Sequence, residues 1–392
     1  MTPRPTLRQI LRPFLAGPTA ATLRLSPHQG KTLRTLARCR TSALGGQVFY
    51  CPHCRREHVV AHSCRNRHCP HCQGAAAVDW LGQQAATLLP VPYFHLVFTL
   101  PHTLNGLIRQ NRAGLFKLLF DAASQTLLEF GVARLGAQLG ITAVLHTWSQ
   151  TLGDHYHLHA IVTGGGVAAD QSRWVATAPY YLFPVRALSR KFRGKYLAGL
   201  QALFTAGQLA FHGQLQEPSP PAQFAAFLRQ AAQPAWVVYA KRPFAGPEQV
   251  LAYLSRYTHR VALSPRRLLA TDGQNVTFAY KDYADGSRPK TLTLGTAEFV
   301  RRFALHVLPE RFVKIRHYGL LGNRHKHVRL AQARRLLGVA PPPAPTAPQP
   351  LPELLQAPLR PAAPVCCPFC QQPGLVKVRE VPPRPATRFD SS

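Results

Sequence analysis

The segment His155-Tyr156-His157-Leu158-His159 decides how this chain is read. In an extended strand, side chains repeat every two residues, so His155, His157 and His159 share one face. Tyr156, Leu158, Ala160 and Val162 supply the opposite, apolar face. The run therefore reads as one strand with a core side and an imidazole side. Gly164, Gly165 and Gly166 are expected to end it. Protonated imidazoles packed side by side repel one another, whereas neutral rings can converge on a divalent cation. The plain alternative is a decorated surface strand, and the rest of the chain weighs against it.

Around this strand the pattern is mixed. Ile141 to Ser149 and His155 to Thr163 read as an antiparallel hairpin about Gly153-Asp154. Upstream, Tyr93 to Leu100 alternates as a strand and residues 104–139 carry helical apolar spacing. Downstream, residues 186–213 and 222–232 read as helices, Trp236 to Ala240 as a strand, and a hairpin turning at Asp272-Gly273 is expected near 261–283. A basic helix over 296–306 and the segment from Phe312 to His327 close the domain. The whole reads as a mixed segment of helices and strands.

Residues 246–263 start like a helix, with Pro247 at the first position. At about 100° per residue, Tyr253, Arg256, Tyr257 and Arg260 fall in one sector. Val250, Leu251, Leu254 and Val261 occupy another. The core stripe is thus separate from a face where two tyrosines lie beside arginines. Phenols four residues apart are about 6 Å apart along a helix axis, so both can address one site. Packing or base-stacking tyrosines are the competing reading.

The composition is 47 Lys plus Arg against 16 Asp plus Glu, a net charge of +31 over 392 residues. Such a surface seeks polyanions, and its spread along the chain with interleaved aromatics points to nucleic acid rather than a membrane surface. No apolar run approaches the roughly 20 residues of a membrane span. The N-terminal MTPRPTLRQILRPF has no secretory h-region or cleavage site, and a prokaryotic cytoplasmic location is expected. In a reducing compartment, cysteines are first read as metal ligands.

Cys51-Pro-His-Cys54 and Cys69-Pro-His-Cys72 form paired knuckles, with Cys64 and His68 between them and Cys39 before. Two knuckles in tandem point to a zinc ribbon, with four thiolates completing a tetrahedral shell. Cys39, Cys64 and His68 either substitute in that shell or build a second site. Arg65 and Arg67, beside this module, are expected to touch phosphate. The chain divides into a zinc-binding, DNA-contacting part over 1–92, a main domain over 93–339, a Pro-rich linker over 340–364 and a short tail over 365–392. The tail repeats half the pattern in Cys366, Cys367 and Cys370. It is either a degenerate ribbon or a site completed from elsewhere.

A phenol with a pKa near ~10 is a poor nucleophile at neutral pH, but a cation that polarises phosphoryl oxygens makes its attack on a phosphodiester feasible. The phosphotyrosine ester so formed retains the bond energy for rejoining, which suits DNA transfer. A nucleotide site is absent from this reading: Gly30-Lys31-Thr32 mimics a P-loop end, but Leu25 stands where the first glycine is needed.

SCRNRHCPHCQGAAAVDWL, YFHLVFTLP, HYHLHAIVTGGG, WVVYAKRPFAGPEQVLAYLSRYTHRVAL and IRHYGLLGNRHK together resemble the two-tyrosine HUH transposases of insertion-sequence family ninety-one, over about residues 35–330. The resemblance implies an α+β fold, a ferredoxin-like HUH single-strand DNA endonuclease domain with a central antiparallel sheet, preceded by a small zinc-ribbon-like domain; against that fold, the segment 170–232 reads as an insertion. It implies His157 and His159 as the HUH pair and Tyr253 and Tyr257 as nucleophiles. It also implies rolling-circle transposition through a 5′-phosphotyrosine, with Mg²⁺ or Mn²⁺ at the catalytic site and structural Zn²⁺. His155 is the first choice for a third ligand and His146 the second. Arg256 and Arg260 are candidates to hold the scissile phosphate. Single-stranded DNA at element ends and target is the expected partner, with strand opening left to host replication or helicase proteins near the nucleoid. A relaxase or replication initiator would use the same chemistry, and a non-catalytic zinc-ribbon DNA-binding protein is the alternative outside enzymes.

Overall fold

The computed structural model describes residues 4–85, 87–215, 221–244, 249–250, 253, 258–340 and 366–384. Three helices open the chain: α1 (Leu7–Ala16), the short α2 (Thr19–Thr22) and α3 (Pro27–Ala37). Thr6 and Ser26 start α1 and α3 with capping boxes closed by Gln9 and Gln29, which satisfy backbone donors that a helix start leaves open. Then come β1 (Gly46–Tyr50), β2 (Glu57–Ala61) and α4 (Gln73–Ala85). The middle of the chain contains β3 (Tyr93–Thr99), α5 (Asn105–Gln110), α6 (Arg112–Leu135), β4 (Ala137–Trp148), β5 (Asp154–Ala168), β6 (Trp174–Ala176), α7 (Val185–Thr205), α8 (Pro221–Ala232) and β7 (Val238–Phe244). It continues with β8 (Leu268–Thr271), β9 (Asn275–Asp282), β10 (Arg288–Gly295), α9 (Thr296–Leu305), β11 (Ile315–Gly319) and α10 (Lys326–Leu336), and the tail adds β12 (Val376–Val381).

The central sheet runs β11-β4-β5-β3-β7, with β6 paired to the far end of β5. All of its pairings are antiparallel. The histidine strand β5 therefore lies between β4 and β3, with both of its edges hydrogen-bonded. Its apolar face behaves as the alternation requires: Tyr156, Leu158, Ala160 and Val162 are buried in one core with Phe116, Phe120 and Phe192 from α6 and α7. The imidazoles are left on the other face.

Four sequence expectations are corrected. The glycines do not end β5, which continues to Ala168. They allow neighbouring chain to approach: a Cβ on Gly165, where φ is +145°, would meet Trp174 Nε1 at 2.5 Å and Val175 O at 2.6 Å. The helix expected over 104–139 ends earlier, at Gly136 in the left-handed conformation, and β4 starts at Ala137. The segment 170–232 is not an insertion, because Leu188, Phe192, Tyr196 and Leu200 of α7 belong to the main core. β10 was missing from the reading; it extends the expected β8–β9 hairpin into a sheet of order β10-β9-β8.

A second core joins the N-terminal helices to this sheet. Leu11 of α1 and Leu33 of α3 are buried with Phe278 of β9 and with Phe299 and Phe303 of α9. A third, smaller cluster lies on the histidine side of the central sheet, where Tyr93, Ile161 and Val250 meet Leu330 of α10. The last sheet has order β12-β1-β2 and so unites the tail with the N-terminal part. Among the described residues, no helix is long and apolar enough to cross a membrane.

His306 follows α9 and is buried, one ring nitrogen 3.2 Å from Thr147 Oγ1 and the other 3.0 Å from Leu152 O. Burial holds it down to about 4, below the roughly 6.5 of an unfolded imidazole. The unfolded chain then binds the proton more readily, so this contribution is complete above pH ~6.5 and is lost as pH falls towards the folded-state value. The urea midpoint is expected to fall between pH 7 and pH 5, and to fall less steeply in His306→Gln. Equal slopes in the two proteins would contradict this.

Candidate functional site

The register of the central sheet assembles the site. His146 of β4 is directly opposite His157 of β5, and His159 is flanked by Val144 and by Val97 of β3. His146, His157 and His159 bring one ligand nitrogen each to within 4.8 Å of one another. His155, the first choice for third ligand from the sequence, is outside this triplet. Its ring lies beside His157 and His102 at the end of the strand, whereas His146, the second choice, lies with His157 and His159.

The chemistry of these rings suits a cation. Burial, and then neighbouring His155, hold His157 down to about 3. Burial, and then His146 and His157, push His159 below the usual imidazole range. Both are neutral at neutral pH, the form that donates a lone pair. His157 Nδ1 is 2.9 Å from the carbonyl oxygen of His155. A carbonyl only accepts, so Nδ1 carries the proton and Nε2 keeps the lone pair for a ligand.

Sequence reasoning missed His95. It lies on β3, is 2% exposed, and is held down to about 3 by burial and by Lys241. Its Nε2 is 2.9 Å from His159 Nδ1. The hydroxyl of Tyr253 is 2.8 Å from His95 Nδ1 and 2.9 Å from Nε2. A continuous hydrogen-bonded line thus runs from Tyr253 through His95 to the histidine triplet. The alternation of YFHLVFTL places His95 on the strand face opposite Phe94 and Leu96, the one available signal.

Tyr257 and Arg256 lie outside the described residues. His259 and Arg260 are beyond the helix, so Arg260 is placed by the following loop and not by the helical sector expected for it. Its charge still reaches His157 and His159. Arg260 lines a narrow cleft with Arg67, His68, Trp148, His306 and Lys314, and Trp148 stacks on His146 with ring centroids 4.6 Å apart. Burial and Arg67 push Lys314 down to about 8. Arg65 is exposed. Arg67 is half-buried and donates to the carbonyls of Pro309 (2.7 Å) and Phe312, bracing the N-terminal part against the segment before β11.

The cysteines group differently from the tandem-knuckle reading. Cys39, Cys64, Cys69 and Cys72 form one set and Cys51, Cys54, Cys367 and Cys370 another, with sulfurs within 4.8 Å in each. The two knuckles do not share a shell, because β1, β2 and the intervening chain carry them apart. Neither set includes His68, whose Nε2 instead accepts from the backbone N–H of Leu308 at 3.3 Å, nor Cys366.

Residues 140–329 match a family model described as "Putative transposase", and residues 10–100 match one described as "Transposase zinc-binding domain". The chain is 45% identical over 340 residues to "Putative transposase y4qJ" of Sinorhizobium fredii (strain NBRC 101917 / NGR234), covering 86% of this chain and 85% of that one. It is 30% identical over 335 residues to the transposase for insertion sequence element IS801 of Pseudomonas savastanoi pv. phaseolicola, covering 84% and 77%. The chain belongs to the IS91 family of transposases.

The donor set in this IS91-family transposase fits structural zinc. Sulfur separations of 3.6 Å for Cys39–Cys72 and Cys69–Cys39 and 3.7 Å for Cys64–Cys72 approach the edge of about 3.8 Å that a tetrahedron of ~2.3 Å Zn–S bonds requires. Burial pushes the Cys39 thiol up to about 11, so a cation is what makes thiolates tolerable there. Cys39, Cys69 and Cys72 are also buried in the core shared by α1, α3 and α9. Purified Cys72→Ser protein is therefore expected to contain less zinc by elemental analysis and to melt several degrees lower. Unchanged zinc content and melting would contradict the assignment.

Proposed function

We propose that this transposase cleaves and rejoins single-stranded DNA through a 5′-phosphotyrosine, with Tyr253 as first nucleophile and Tyr257 serving the second strand. The observation that carries the reading is the line from the Tyr253 hydroxyl through His95 to His159. It couples a tyrosine to the His146, His157 and His159 triplet, whose ligand nitrogens lie within 4.8 Å of one another.

His146, His157 and His159 would hold Mg²⁺ or Mn²⁺, imidazole nitrogen favouring Mn²⁺ in affinity. When bound, the cation supplies charge to neutralise the phosphoryl oxygens as negative charge develops. With His159 Nε2 committed as ligand, its Nδ1–H donates to His95 Nε2. Neutral His95 would then carry its proton on Nδ1, 2.8 Å from the Tyr253 oxygen, where it can orient the phenol and stabilise the phenolate. As a bond forms between this oxygen and phosphorus, the phenolic proton passes to solvent, the bond to the 3′ oxygen breaks, and the 3′ oxygen takes up a proton from solvent. Ester bonds are conserved, so a returning 3′-OH can reverse the step and reseal the strand in rolling-circle transposition. Arg260 beside the histidines supports placement of the scissile phosphate.

Incubation with single-stranded oligonucleotides spanning the element ends, in Mn²⁺ or Mg²⁺, is expected to give a covalent protein–DNA adduct on a denaturing gel. The adduct should fall at least a hundredfold in His157→Ala/His159→Ala and disappear in Tyr253→Phe/Tyr257→Phe. Tight DNA binding by wild-type protein without an adduct in either metal would favour a zinc-ribbon DNA-binding protein instead.

The choice of third ligand has its own test. His146→Ala is expected to weaken Mn²⁺ binding by tenfold or more in a calorimetric or EPR titration, while His155→Ala stays within about twofold of wild type. The reverse ranking would return His155 to the site.

A further inference from the structure

The family's zinc-binding match ends at residue 100, yet the second cysteine set takes half of its ligands from the far end of the chain. We infer that Cys51, Cys54, Cys367 and Cys370 form a second zinc site, which fastens the C-terminal tail onto the N-terminal part as one three-stranded ribbon.

The two knuckles are built alike, from the chain upward. CPHCRR at 51–56 and CPFCQQ at 367–372 follow the same plan. In the first, Arg55 N–H donates to Cys51 O at 2.8 Å and Cys51 N–H to Arg56 O at 2.9 Å. In the second, Gln371 N–H donates to Cys367 O at 2.9 Å and Cys367 N–H to Gln372 O at 2.8 Å. Arg55 and Gln371 take the same left-handed conformation, with φ of 57° and 59°. An L-residue enters that region at a cost, and meeting it twice at the same position marks a turn shaped to present two thiolates together. The sulfurs meet across the knuckles, 3.6 Å for Cys51–Cys370 and 3.5 Å for Cys54–Cys367, close to the edge of about 3.8 Å of a ZnS₄ tetrahedron.

The strands after each knuckle complete the unit. β2 follows the first, β12 follows the second, and both pair antiparallel with β1. Arg379 of β12 bonds Glu57 of β2 at 3.1 Å, and Phe369 of the second knuckle lies under the Arg56 guanidinium, 5.0 Å from its ring centroid. These contacts are exposed and modest. The tail is too small to order itself without a staple, and the sequence separation of 313 between Cys54 and Cys367 is the span over which a metal clip restricts the unfolded chain most. The site is complete only once Cys370 has been synthesised.

Elemental analysis of the purified full-length protein is expected to give two zinc per chain. Cys51→Ser/Cys54→Ser and Cys367→Ser/Cys370→Ser should each give one, and the fourfold variant should still give one, because both pairs belong to one site. One zinc in the wild type, an unchanged count in the tail variant, or a further drop in the fourfold variant would overturn the inference. A second measurement leaves the cysteines intact: a protease site is introduced within residues 341–364 and the protein is nicked there. The tail is expected to co-elute with the body in gel filtration and to separate once a zinc chelator is added. A tail that leaves before chelation, or stays after it, would equally overturn the proposal.

Discussion

Alternation along one doubly bonded strand governs this molecule. β5 is hydrogen-bonded on both edges, by β4 and β3, and its apolar residues are buried against α6 and α7. A slip of one residue would turn Tyr156 and Leu158 out of the core and push histidines into it, so the register is strongly fixed. The imidazole face follows from that burial. Once β5 is set, its pairings place His146 beside His157, and His95 of β3 within hydrogen-bond reach of His159.

Burial and charge then act in the same direction on these rings. Desolvation disfavours the imidazolium, and Arg260 adds to the effect at His157 and His159. In a chain of net charge +31, a field that attracts polyanions also disfavours the imidazolium form of His157 and His159. The same basic surroundings would be costly without a polyanion to receive them. The cleft beside His146 has Arg67, Arg260 and Lys314 in its lining.

What the sequence made legible was local. Period-two spacing in HYHLH identified the strand and its two faces, the family resemblance singled out His157 and His159, and the tandem CxxC motifs identified a cysteine-rich metal module. What it hid depends on pairing between distant segments. The hairpin reading brought His146 to the site as second choice without fixing its register against His157, and His95 is separated from His159 by 64 positions. Equal spacing within the CxxC knuckles cannot say which knuckles share a shell, so the split of Cys51 and Cys54 from Cys69 and Cys72 emerges only from the strand order β12-β1-β2. The glycines after Thr163 looked like a stop because close backbone approach and a turn call for the same residue. α7 read as an insertion because an amphipathic helix does not encode which surface it will cover.

The most direct test of the central claim is to map the residue that holds the DNA. Trypsin cuts after Arg256 and so separates Tyr253 from Tyr257. Digestion of the covalent complex, followed by mass spectrometry, is predicted to find the nucleotide remnant on the peptide carrying Tyr253. A remnant found only on peptides that contain neither tyrosine, or DNA cut with no remnant on the protein, would contradict the account.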